Sequence, residues 1–146
     1  MATKSTHIYK TVGDLDLKVD VYVKISNEQH TRYNSKAPIY LFFHGGGLVG
    51  FNRIFISPHI VQLCLVRNWI LVSADYRLLP QVTGKEIVED AKDAYTFVRE
   101  KLGGILAGSK SGEGMVMKNI IIGGPTGGKG QIERSPCEEH EVANIY

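Results

Sequence analysis

Three short stretches of this 146-residue chain combine residue types that could do chemistry. The first is His44-Gly45-Gly46-Gly47, at the end of the apolar run Ile39-Tyr40-Leu41-Phe42-Phe43. Three consecutive glycines remove every Cβ, so the backbone can turn sharply and bring its N–H groups close to a ligand. A buried strand that empties into bare donors is one way for an acyl-transfer enzyme to build an oxyanion hole. The same nine residues also fit a glycine-rich strand-to-helix loop with no chemistry. The second stretch is Asp75-Tyr76-Arg77, which follows the apolar residues Trp69 to Ala74. The third runs from Gly123 to Lys129 behind Ile120-Ile121-Ile122. Its Gly-x-x-x-x-Gly-Lys spacing matches most of a phosphate-binding loop. However, Gly130 stands where that loop needs Ser or Thr, and no amphipathic helix follows to face a phosphate.

The elements that must position these stretches alternate strand and helix. Ile8 to Val12 predicts a short strand. Asp14 to Val23 alternates Leu15, Leu17, Val19, Val21 and Val23 with Asp16, Lys18, Asp20 and Tyr22, a strand with one buried and one wet face. Gly13-Asp14 between the two predicts an antiparallel hairpin. Ser26 to Ala37 is polar and aperiodic, and reads as a surface loop. Ile39 to Phe43 suits a strand buried on both faces. A loop over Phe51 to Pro58 precedes a helix from about His59 to Arg67, with Ile60, Val61, Cys64 and Leu65 on one side. Trp69 to Ala74 is a second buried strand. Lys85 to Leu102 gives the clearest helix: Ile87, Ala91, Ala94, Tyr95, Val98 and Leu102 share a face, and Gly103 can cap it. Gly103 to Gly114 reads as a loop, and Ile120 to Ile122 as the last strand. This order predicts an α/β domain, a mostly parallel sheet preceded by an N-terminal antiparallel hairpin. All three stretches then lie at the carboxyl ends of strands, where such sheets bind ligands.

Composition is that of an ordinary globular protein, 43% hydrophobic and 22% charged. A formal net charge of +2 gives no reason to expect nucleic acid or a membrane surface as a partner. Residues 1–7 lack the apolar core of a secretion signal, so a cytoplasmic setting is expected, with Cys64 and Cys137 as free thiols. No pattern calls for a cofactor or a metal.

The oxyanion-type loop, then Asp75-Tyr76-Arg77-Leu78-Leu79-Pro80, then a helix carrying Asp90 resembles the α/β-hydrolase fold. More narrowly it resembles the hormone-sensitive-lipase-like esterases, over roughly Tyr22 to Gly128. The resemblance implies that the backbone N–H groups of Gly46 and Gly47 face a substrate oxyanion, joined by that of Thr126. It implies that His44 and Gly45 support that loop, and that Asp75 to Arg77 are mostly structural. Gln81 stands where the family usually has glutamate. The family's nucleophile elbow falls on Gly123 to Gly128, and its serine position holds Pro125. Proline has no hydroxyl and no N–H, and its φ is fixed near about −65°, away from the strained turn an elbow needs. Thr126 has a hydroxyl one position late, where the family uses a backbone N–H.

In this fold the acid and base follow the nucleophile along the chain. The stretch beyond Pro125 contains His140, Glu133, Glu138, Glu139 and Glu141 but no Asp. Lys129 to Tyr146 has no apolar stripe and is interrupted by Pro136. The expectation is therefore a truncated α/β-hydrolase fold: residues 1–128 as its N-terminal half and 129–146 as a divergent, disordered tail. Three functions stay open: an esterase-lineage protein without catalysis, a hydrolase using unorthodox residues, and a ligand-binding or interaction module. The family offers precedents for the last in the plant gibberellin receptor, and for small natural-product substrates in fungal gene clusters. The expected partner is a small-molecule ester or a related ligand. Self-association through an exposed last strand is also expected.

Overall fold

A computed structural model describes residues 2–24, 37–108 and 117–125. Continuous apolar stretches become the middle of one five-stranded sheet. Its strands are β1 (Ala2–Val12), β2 (Leu15–Lys24), β3 (Ile39–Phe43), β4 (Ile70–Ala74) and β5 (Ile120–Gly123). They lie in the order β1-β2-β4-β3-β5. β1 pairs with β2, and β2 with β4, antiparallel; β3 pairs with both β4 and β5 in parallel. The expected α/β arrangement, hairpin first and parallel sheet after, is what forms.

Both faces of the central strands β3 and β4 are covered, as such strands require. Over one face lie α2 (Gly84–Glu100) and α3 (Leu102–Leu106), whose Ala94, Phe97, Val98 and Leu102 pack on Val19, Val21, Ile39, Leu41, Ile70 and Val72. Over the other lies α1 (Pro58–Val66), with Ile60, Val61 and the free, buried Cys64 against Phe42 and Leu71. Ser57 caps α1, its Oγ accepting from the His59 N–H at 3.3 Å, with Pro58 in the first turn where its missing N–H is harmless. Thr83 and Glu86 form a reciprocal capping box on α2.

Several sequence expectations change. β1 starts at Ala2 rather than Ile8, because pairing with Lys24, Val23 and Tyr22 makes a strand of a polar stretch. Leu15, expected inside, is half-exposed at the hairpin end, while Asp20, expected on the wet face, is fully buried. Gly103 does not cap α2. The chain turns at Lys101 to send Leu102 into the core, and Gly103 lies inside α3, so the expected loop begins as a helix. The predicted loop over Ser26 to Lys36 and the 129–146 tail lie outside the described residues.

Candidate functional site

The parallel register brings the ends of β3, β4 and β5 to one rim. Gly45 follows β3 and Pro125 follows β5. A Cβ on Gly45 would come within 2.7 Å of the Pro125 carbonyl oxygen and 3.3 Å of its ring. One on Gly124 would overlap the Phe43 carbonyl. Glycine at these two positions is therefore a packing requirement, letting the two strand ends close on each other.

His44 is buried and its ring lies flat on that of Tyr76, with centroids 4.1 Å apart and planes within 8°. Its Nδ1–H donates to the Gly45 carbonyl at 2.9 Å; a carbonyl only accepts, so the proton is on Nδ1. In return the Tyr76 hydroxyl donates to the His44 carbonyl at 2.7 Å. Burial lowers the His44 pKa below its ordinary value, against the opposing pull of the Gly45 carbonyl, so the ring is neutral at pH 7. The loop then turns with φ of 110° at Gly46 and 63° at Gly47. A Cβ at Gly46 would overlap the Gly50 carbonyl and sit 2.7 Å from the Phe51 ring. Among the described residues no acceptor takes the N–H of Gly46 or of Gly47. Two donors with no partner among the described residues, on a loop braced by a buried aromatic stack, can hold an oxygen that carries negative charge.

Asp75 and Arg77 serve the frame. Asp75 accepts from the Arg53 backbone N–H at 2.9 Å and from its Nη1 at 2.7 Å. Arg53 Nε also donates to the buried Asp20 at 3.0 Å, and its carbonyl accepts from Ser73 Oγ at 2.8 Å. Lys4 approaches the other Asp20 oxygen to 2.8 Å, an ion pair outside hydrogen-bond geometry. Arg77 grips buried Asp90 through Nε at 2.8 Å and Nη2 at 2.9 Å, and Lys10 reaches the same carboxylate at 2.8 Å. Burial alone would raise the pKa of Asp20 and of Asp90. The nearby Lys4 ammonium and the hydrogen bonds of Thr6 and Arg53 outweigh it at Asp20, and the hydrogen bonds of Arg77 and Lys10 outweigh it at Asp90, leaving both below the usual carboxylate value.

His44, Gly45, Gly46, Gly47 and Pro125 are thus gathered at one rim, while the charged ends of Asp75 and Arg77 are taken up in separate ion-pair clusters. Thr126 lies outside the described residues. Sequence reasoning missed Arg53 and Asp20, which neither a motif nor a period marks. It also read Tyr76 only as part of a structural stretch, without its stack on His44.

The family model for the alpha/beta hydrolase fold matches residues 40–130. The non-reducing polyketide synthase atr1 of Stereocaulon alpinum is 31% identical over 123 residues, 82% of this chain but 5% of that protein. The probable carboxylesterase M8 of Phoma sp. is 28% identical over 123 residues, covering 82% of this chain and 38% of its own length. Among solved structures, the apo form of Thermogutta terrifontis esterase 2 aligns with a TM-score of 0.62 at 23% identity, over 83% of this chain and 41% of that one. A bacterial heroin esterase aligns at 0.57 with 19% identity, over 84% and 35%. The chain therefore spans a small part of the polyketide synthases it matches and well under half of the esterases.

Proposed function

Because this chain belongs to the alpha/beta hydrolase fold family, we infer that it carries the oxyanion-binding side of an ester-hydrolase site without the family's serine chemistry. Its relation to carboxylesterases gives the reaction class. Negative charge developing on an ester carbonyl oxygen would be met by the N–H groups of Gly46 and Gly47, with Thr126 as the third donor by position. Preorganised donors of this kind contribute about 3 kcal/mol each to acyl transfer. The family builds its nucleophile on the turn after the strand that β5 occupies. Pro125 stands there against Gly45, with neither a hydroxyl nor an N–H. That single observation carries the reading: the chain has the means to stabilise an oxyanion and no serine at the elbow to create one. The relatives named as polyketide synthases support a lineage that handles small natural products. Binding of an ester, or of a ligand that resembles one, is then the retained property.

Purified protein is expected to hydrolyse p-nitrophenyl butyrate no faster than buffer and to take no fluorophosphonate label. Turnover that a fluorophosphonate quenches would overturn the loss of serine chemistry.

A further inference from the structure

Beyond the glycines the rim becomes aromatic. Phe51 and Phe55 pack in a tilted pair, 4.6 Å between centroids and 44° between planes, yet they stay 56% and 60% exposed. Two large aromatic rings packed together in water mark a surface that something else covers. The Phe51 ring lies against Gly46, close enough that no side chain could stand between them. It therefore borders Gly46, the first of the two donor residues.

The backbone that presents this wall is held in costly conformations. Leu48 and Phe51 have φ of 67° and 68°, values that bulky residues rarely adopt and that persist only where the surroundings enforce them. The enforcing contacts are present. The Leu48 carbonyl accepts from the Leu79 N–H at 2.8 Å, the Gly46 carbonyl from the Val49 N–H at 3.1 Å, and Arg53 is fastened to Asp20 and Asp75. A wall fixed before binding loses little freedom when a ligand arrives.

We propose that Phe51 and Phe55 form an aromatic wall beside this site and select a ligand with a flat, aryl-bearing group attached to the oxygen-bearing centre held by Gly46 and Gly47. This rests on the reading of those glycines as oxyanion donors, and it adds the ligand class. The ring edge and face of the pair suit an aryl group, in offset or tilted contact. A short alkyl group would reach the donors without covering the wall.

Phenylphosphonate and methylphosphonate test this on the whole chain, their anionic oxygens standing in for the oxyanion. In an amide and aromatic NMR titration, both are expected to shift the Gly46 and Gly47 amides. Phenylphosphonate should bind about tenfold more tightly and move the Phe51 and Phe55 ring signals. Phe55→Ala and Phe51→Ala should each remove most of that preference. Both side chains are exposed, so unchanged amide signals from Ala94 and Val98 report an intact core. Equal affinities, or a preference that survives both substitutions, would overturn the aromatic wall and leave the oxyanion donors standing. Amides of Gly46 and Gly47 that respond to neither ligand would overturn the donor reading and the wall with it. Ring shifts that follow protein concentration instead of ligand would assign the pair to contact between copies and reject the proposal.

Discussion

Adjacent glycines in the rim loop do different work, and substitution separates them. At Gly46 an alanine Cβ would overlap the Gly50 carbonyl and press on Phe51, at a φ that L-residues avoid; at Gly47 the space is open. Gly47→Ala is expected to cost about 1 kcal/mol from its left-handed backbone alone, and Gly46→Ala about 3 kcal/mol or more, read from urea denaturation. Buried carboxylates set the acid response. The pKa of Asp90 is lowered in the fold, so its stabilisation is present in full above the unfolded value near about pH 4 and is lost as pH falls through the lower folded one. Asp20 behaves alike. Asp90→Asn leaves Arg77 without its bidentate partner and should lower stability at pH 7 by about 3 kcal/mol. The variant should also lose less than the parent between pH 5 and about pH 2.5, in chemical denaturation followed across pH. An unchanged acid slope would show that other groups govern it. The cluster of Asp20, Arg53 and Asp75 was not open to sequence reading. Arg53 lies 33 residues from Asp20 and 22 from Asp75, and residues meeting at such separations leave no periodic trace.

Elements were legible in proportion to how continuously they are buried. β3 and β4 announce themselves because sheet burial on both faces demands an unbroken apolar run, and the structure begins β4 only one residue later than expected. α2 is equally plain, since its apolar stripe and polar side keep the 3.6-residue period for four turns. The first half of β1 shows no such pattern; its sequence is polar, and it becomes a strand only because β2 offers a partner and Asp20 a counter-charge for Lys4. The rim loop was legible as glycines but not as a braced structure, since the His44–Tyr76 stack joins the ends of two different strands. Local signals that a sequence does print can be tested in isolation. The Thr83 hydroxyl accepts the Glu86 N–H at the start of α2, on the exposed end of the helix. Thr83→Ala should therefore cost about 1 kcal/mol in denaturation, while Thr83→Ser should cost less than half as much. Equal losses would mean that the methyl group, not the cap, is what matters.

At the scale of the whole molecule the sheet is asymmetric. β2 through β3 have a hydrogen-bonded neighbour on both sides, whereas β5 is bonded only to β3 among the described residues. Parallel strands are normally interior because their side chains are apolar on both faces, and β5 is no exception in composition: Ile120, Ile121 and Ile122 run together. α1 covers Phe42 and Leu71, but Ile121, on the β5 side of the same face, is 37% exposed. An edge of three isoleucines without a charge or proline among them is open to pairing with a second chain. The chain is therefore expected to self-associate through β5, with a sedimentation coefficient that rises over a tenfold range of protein concentration. Ile121→Lys places a charge on that edge without entering either core cluster. It should weaken association about tenfold, equivalent to about 1.4 kcal/mol, with the monomer's thermal unfolding unchanged. A parent chain that sediments as a monomer throughout would show that the edge is protected, and the same experiment on Ile121→Lys would then give an identical profile.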